Sequence, residues 1–254
     1  HLEQHLKTLV ELRSVSSDPD ISRELLDRVG SLLEVAGLRV SRYESNGFPS
    51  LIATSRETFA PKLWLVGHID VVEGRDELFR MRETPDRLIG RGVIDDKCAA
   101  AGFLETVQQI GRDHIQEYDF GIMLTADEEV GGRDGVGYLI DELNIRSGIA
   151  FVPDSGENWA VEAQEKGALH LKVSVQGKSA HGSMPWEGDN AFDNLVSYIN
   201  LLRKRLNITD PDTARDEYLP TLNIGVVQAG HATNQVPDTA EAKIDIRFVE
   251  PDDA

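Results

Sequence analysis

Four short stretches gather side chains able to move protons or hold cations: "GHID" (67–70), "GRGVIDDK" (90–97), "TADEEVGG" (125–132) and "VPDSGE" (152–157). The third poses a problem. Asp127, Glu128 and Glu129 follow the apolar run "FGIML", which reads as a buried strand. Carboxylates crowded beside a core repel one another and lose hydration, so water, basic partners or a metal ion must compensate them.

Each stretch has an ordinary explanation when read alone. On a strand His68 and Asp70 lie at i and i+2 and project from one face. They suit a plain hydrogen-bonded pair as well as an imidazole oriented by its carboxylate toward a metal. Asp95 and Asp96 enter an Ala-rich helix and suit capping, Glu128 and Glu129 suit a solvated acidic loop, and Asp154 suits a turn. Together these explanations weaken. One sheet edge would collect His68, Asp70, Asp95, Asp96, Asp127, Glu128, Glu129 and Asp154, with Lys97 and Arg133 as the nearest bases in sequence. A pair of divalent metals balances that charge, and His with carboxylates suits zinc. One carboxylate is then left as general base toward water.

The elements that must position these residues are legible in the flanking pattern. "SRELLDRVGSLLEVAGL" puts Leu25, Leu26, Val29, Leu32, Leu33 and Ala36 on one helical face, with Gly37 where a helix C-cap glycine is expected. "LRVSRYE" and "SLIAT" read as short strands. The apolar runs "LWLVGHID", "FGIMLTADEE" and "GIAFVPD" follow, the first two separated by the helix "DDKCAAAGFLETVQQIG". This order predicts an α/β unit with a mainly parallel sheet and helices on both faces, whose ligands bind beyond the C-terminal strand ends. From Gly167 the pattern changes. "ALHLKVSVQG", "TLNIGVVQAG" and "AEAKIDIRFVE" alternate as half-buried strands, with the amphipathic "NAFDNLVSYINLLRKRL" between the first two. A smaller α+β domain with an antiparallel sheet and one open face is expected, the boundary falling near residues 160–168.

The four stretches, in this order and spacing, resemble the dinuclear-zinc peptidases that include glutamate carboxypeptidase, aminoacylase, succinyl-diaminopimelate desuccinylase, acetylornithine deacetylase and the carnosinase-type dipeptidases. "GKSAHGSMPWEGDNA" resembles that family's lid motif, and "NQVPDTAEAKIDIR" its substrate-binding strand pair. The resemblance implies a zinc-binding catalytic domain over residues 1–166 and an inserted lid and dimerisation domain over 167–254. It implies that His68 and Asp154 bind one zinc, Asp95 bridges both, and Glu129 binds the other. Cobalt or manganese could substitute. Asp70 would orient His68, and Glu128 would be the general base. His181 would reach the active site of a dimer partner and stabilise an oxyanion. Asn234 and Arg247 would hold the substrate, Arg247 gripping its carboxylate. Without the resemblance Arg247 reads as a surface arginine and His181 as an idle loop histidine; His1, His5, His114, His170 and His231 stay at that default. Asp96 and Asp127 are expected to support or cap.

The implied activity is hydrolysis of an amide next to a free carboxylate, in a dipeptide or an N-acyl amino acid. Asp at position 154 resembles the dipeptidases more than the deacylases. Two departures stand out: Cys98 replaces the usual glycine after "DDK", and the sequence stops at "VEPDDA" before the family's last zinc ligand, a histidine. A C-terminally truncated, inactive chain is therefore expected, binding one zinc well and the second weakly. The alternative for such a chain is a non-catalytic metal-binding role.

The bulk composition agrees with these expectations. Its 254 residues are 40% hydrophobic and 28% charged, with a net charge of -18, which argues against nucleic acid or anionic membrane as partner. No apolar run approaches a membrane span. "HLEQHLKTLVELRSV" carries acids and no cleavage pattern, so it does not read as a signal peptide, and without Met the start need not be native. The lone Cys98 excludes an intrachain disulfide and suits a reducing, cytoplasmic setting.

Overall fold

Apolar residues at helical spacing draw the first two segments onto a sheet, and the tight turn that follows starts it. A computed structural model describes residues 1–146, 148–154, 160–162, 164–208 and 218–249. The chain divides into two units, residues 1–161 and 162–254.

In the first unit, helix α1 (Leu2–Glu11) buries Leu6, Leu9 and Val10. Helix α2 (Pro19–Val35) starts with proline, whose missing N–H costs nothing there, and buries Leu25, Leu26, Val29 and Leu33. Leu32 departs from expectation and is 43% exposed. The buried stripe centres on Val29 and Leu33, so Leu32 falls on its flank. Gly37 takes φ +98, the conformation that favours glycine after a helix. Strands β1 (Arg39–Ser45) and β2 (Phe48–Thr54) form a hairpin through Asn46 and Gly47, both at positive φ, as a two-residue hairpin turn requires.

Strand β3 (Leu63–His68) leads through a small hairpin, β4 (Arg82–Glu83) and β5 (Leu88–Ile89), into helix α3 (Lys97–Ile110). Strand β6 (Phe120–Thr125), the one-turn helix α4 (Tyr138–Asp141) and strand β7 (Ile149–Phe151) complete the unit. The sheet order is β1-β2-β6-β3-β7. The α/β class is as expected, but the sheet is mixed. Pairing is parallel across β6, β3 and β7, and antiparallel across β1, β2 and β6, because the Asn46-Gly47 turn reverses the chain. On one face Leu51, Ala53, Ile122 and Leu124 pack with the buried sides of α1, α2 and α3. On the other, Ile52, Trp64 and Met123 meet Leu139 of α4 and Ile145. This period-two division is what a sheet covered on both faces demands. His68 stands opposite Thr125 in register, so the chain beyond β3 and the chain beyond β6 emerge side by side.

The second unit contains β8 (Gly167–Gln176), α5 (Ala191–Arg205), β9 (Thr221–Ala229) and β10 (Thr239–Phe248), the strands antiparallel in the order β8-β10-β9. Asn190 caps α5, its side-chain oxygen accepting from the N–H groups of Phe192 and Asp193. Ala191, Leu195 and Ile199 pack on Ala240, Ala242, Ile244 and Ile246, and the alternate residues of β10 form the open polar face.

Candidate active site

His68 ends β3 with 2% of its surface exposed, and Asp70, just past the strand, is fully buried. The Asp70 backbone oxygen lies 3.0 Å from His68 Nδ1 and its carboxylate Oδ1 lies 3.3 Å away. Asp70 also accepts hydrogen bonds from Ser16 Oγ and from the N–H groups of Glu128 and Glu129, so one carboxylate ties the end of β3 to the acidic turn after β6. With Nδ1 engaged, Nε2 is the ring nitrogen left for chemistry. It lies 3.0 Å from Asp95 Oδ1, 3.7 Å from Glu128 Oε2 and 3.9 Å from Asp154 Oδ2. Burial opposes a charge on His68, but the hydrogen bond and charge of Asp70, backed by Asp96 and Glu128, push the imidazole up to about 10.

Donor atoms of His68, Asp95 and Asp154 all lie within 4.8 Å of one another, and among the described residues this is the only such group of three or more His, Cys, Asp or Glu. Glu128 stands beside the group rather than in it. Burial raises its carboxyl, with Asp154, Asp70 and Asp95 adding and His68 opposing. Glu129 is also outside the group; its Oε1 accepts from the Val72 N–H at 3.3 Å. The structure therefore gathers His68, Asp70, Asp95, Glu128 and Asp154, and leaves Glu129 at the margin.

Asp96 caps no helix with its side chain; its Oδ2 receives the His68 N–H at 3.4 Å. Burial pushes its carboxyl up to about 8, His68 opposing and Asp154 adding. Burial likewise pushes the Cys98 thiol up to about 12. Asp127 does cap, accepting from the Asp134 and Gly135 N–H groups. Lys97, one of the two nearest bases in sequence, spends its Nζ on backbone: it donates to the carbonyls of Leu9 and Leu12. Burial lowers that ammonium to about 7, against the charge of Asp70.

In the second unit His181 is exposed and its Nδ1 accepts from the Ser183 N–H at 3.2 Å. That bond places the proton of a neutral ring on Nε2, making it a donor. The Gly182 N–H donates to Asn234 O at 2.7 Å, and a Cβ on Gly182 would fall 3.0 Å from Asn234 backbone. Glycine thus allows the His181 and Asn234 loops to touch, a pairing no spacing in the sequence announces. Both belong to the end of the sheet where Thr239 faces Gln176, while Arg247 faces Ala168. At a strand rise of about 3.3 Å per residue, Arg247 is about 25 Å from that end. It is exposed and touches Asp245 through Nε at 3.1 Å.

The pattern of the peptidase dimerisation domain family matches residues 163–254. The chain is 28% identical over 244 residues to the succinyl-diaminopimelate desuccinylase of Corynebacterium glutamicum, covering 94% of this chain and 64% of that enzyme. It is 28% identical over 264 residues to the acetylornithine deacetylase of Proteus mirabilis, covering 95% and 67%. In three dimensions it is similar to an M20 family metallo-carboxypeptidase of Sulfolobus solfataricus, with TM-score 0.73, 17% identity and coverage of 99% and 72%. In sequence and in fold the chain is thus similar to M20 metallopeptidases and deacylases, the dimerisation-domain pattern falling on its second unit. It spans less than two thirds of the Corynebacterium enzyme's length.

M20 hydrolases depend on metal, and the donors of this chain fit a divalent cation: an imidazole nitrogen and two carboxylate oxygens converge with the spacing that ligands of one ion adopt. What the sequence concealed is the support behind the donors. Ser16 sits more than fifty residues before Asp70 and in no motif, yet its hydroxyl lies 2.7 Å from that carboxylate.

Proposed function

We propose that this protein is a metal-dependent amidohydrolase acting on a small substrate that carries a free carboxylate. The observation that carries the reading is Glu128, held 3.7 Å from His68 Nε2 beside the donor group without belonging to it. Binding alone needs no such carboxylate; proton transfer does.

His68 and Asp154 would hold one zinc, with Asp95 shared and Glu129 on the second. Bound ions would supply Lewis acidity, polarising the scissile carbonyl and lowering the pKa of water toward about 7. Asp70 occupies Nδ1 of His68 and so presents Nε2 as the ligating atom. Glu128, its carboxyl raised by burial, takes a proton from the attacking water and returns it to the leaving nitrogen. His181 donates its Nε2 proton to the developing oxyanion. Arg247 binds the substrate carboxylate as a bidentate fork, and Asn234 holds the substrate beside His181. The opposite placement of Arg247 and the His181–Asn234 pair on one lid sheet supports a homodimer in which His181 and Asn234 come from the second copy.

For these 254 residues one tightly held zinc and a weaker second are expected, since Glu129 lies outside the donor group. That same observation favours a non-catalytic metal-binding role as the second reading. Elemental analysis after zinc loading and desalting tests the stoichiometry. Two tightly held ions would overturn it; none would overturn the metal reading altogether.

The finer substrate class is an amide of a dipeptide or of an N-acyl amino acid. Asp154 supports the dipeptide, whereas relatives named for desuccinylation and deacetylation support the N-acyl substrate. A panel of dipeptides against N-succinyl and N-acetyl amino acids, run on the zinc-loaded native protein, separates them. Turnover of neither class would sink the proposal.

A further inference from the structure

We propose that Ser16 and Lys97 are positioning residues, through which residues 9–16 hold two ligand-bearing segments of the metal site in register. The inference rests on the metal reading above.

The first tie runs to the His68 side. Residues 14–16 lie alongside residues 69–71 as a short parallel pairing, with Val71 N–H donating to Ser14 O and Ser16 N–H to Val71 O. Ser14 Oγ donates to Ile69 O at 2.6 Å, and Ser16 Oγ to Asp70 Oδ2 at 2.7 Å. The segment therefore grips the chain just beyond His68 by its backbone and grips the carboxylate that orients the imidazole.

The second tie runs to the Asp95 side. Lys97 is the first residue of α3, fully buried, and follows Asp95 and Asp96 directly. Its Nζ donates to Leu9 O at 3.0 Å and Leu12 O at 2.7 Å, at the C-terminus of α1. Carbonyls there lack helical partners and carry the negative end of the helix dipole, so a buried ammonium is matched without a carboxylate. The packing fixes its path: a Cβ on Gly92 would fall 2.8 Å from Lys97 Cδ, and Gly92 has φ +83. One stretch of eight residues thus anchors both the His68–Asp70 corner and the Asp95 loop, which are far apart in sequence. Supports of ligating residues commonly affect metal affinity 10–100-fold.

The test is chelator-competition titration of zinc together with the visible absorption of the cobalt-loaded chain. Ser16→Ala is expected to weaken the tight site by about tenfold and to shift the cobalt spectrum, while Ser16→Thr, which keeps the hydroxyl, stays near the parent. Lys97→Met, which keeps length and loses the two donors, is expected to do the same where it folds. A Ser16→Ala chain with lowered Tm but unchanged affinity and spectrum would overturn the positioning role and leave a structural one. Parent protein that binds no zinc would overturn the metal reading, and this inference with it. Parent binding with unaltered Ser16→Ala binding overturns this inference alone.

Discussion

His68 is a candidate metal ligand and His181 a candidate catalytic histidine, and their surroundings differ in burial, partners and charge. His68 is 2% exposed, bonded at Nδ1 to Asp70, and faced at Nε2 by Asp95, Glu128 and Asp154. Its geometry is over-determined, as a metal ligand's must be, because an ion tolerates little error in donor position. His181 is exposed; its side chain meets Ser183, and its backbone pairs with Gln235 of the Asn234 loop. In a neutral ring the Ser183 N–H bond leaves Nε2 as the donor. The first side chain is held from several directions; the second is held by its own loop and the Asn234 loop and is open to solvent.

If that contrast is right, the largest effect comes from the group that joins neither pattern. Introduced into the native protein, Glu128→Ala should retain zinc yet lower kcat by about 10² or more, since the proton carrier is lost while the donors stay. Metal analysis alongside steady-state kinetics checks it; near-normal kcat would remove Glu128 from the mechanism. Next, His181→Ala should cost about 10² in kcat, the scale of one oxyanion donor, with zinc affinity unchanged. Loss of zinc from that variant would dissolve the distinction between the two histidines. Third, Asp70→Ala should weaken zinc 10–100-fold, because it takes the carboxylate from Nδ1, leaving only the backbone oxygen, and releases the Glu128 and Glu129 N–H groups together. Unaltered affinity would mean that the backbone oxygen of Asp70 orients the ring unaided.

The two regions were also unequally legible. Period-two alternation foretold β8, β9 and β10 and the open face that bears Arg247. Apolar runs ending in acids foretold a collection of His68, Asp70, Asp95, Asp96, Asp127, Glu128, Glu129 and Asp154 at one sheet edge, since parallel strands deliver their C-terminal ends together; of these, His68, Asp95 and Asp154 form one donor group with Glu128 beside it, and Glu129 stays outside. The role of Lys97 was not legible, because sequence distance cannot say which groups a long side chain reaches; the α1 carbonyls hold it. Leu32 failed because a stripe's centre is set by what it packs against. The β1–β2 hairpin was visible as two strands, but its effect on the sheet depends on which strand accepts β2 as neighbour, and that is a tertiary matter.

The smallest effect probes the electrostatics of the buried region itself. In the metal-free fold His68 keeps its proton to about 10 and Asp96 to about 8, against about 6.5 and 3.9 in an unfolded chain. Lys97 acts in the opposite sense, losing its proton near 7 in the fold. Between pH 7 and 8 two raised groups outweigh one lowered group, so the fold binds more protons than the unfolded chain and its stability falls as pH rises. The metal-free Tm should drop by a few degrees from pH 6.5 to 8, on the order of 2 kcal/mol. Saturating zinc requires neutral His68, so it should reverse the slope, protecting more at pH 8 than at 6.5. Thermal melts at both pH values, with chelator and with zinc, read both signs. A metal-free Tm that climbs over this window would mean that His68 is neutral in the fold, and its acidic surroundings would then set its position without setting its charge.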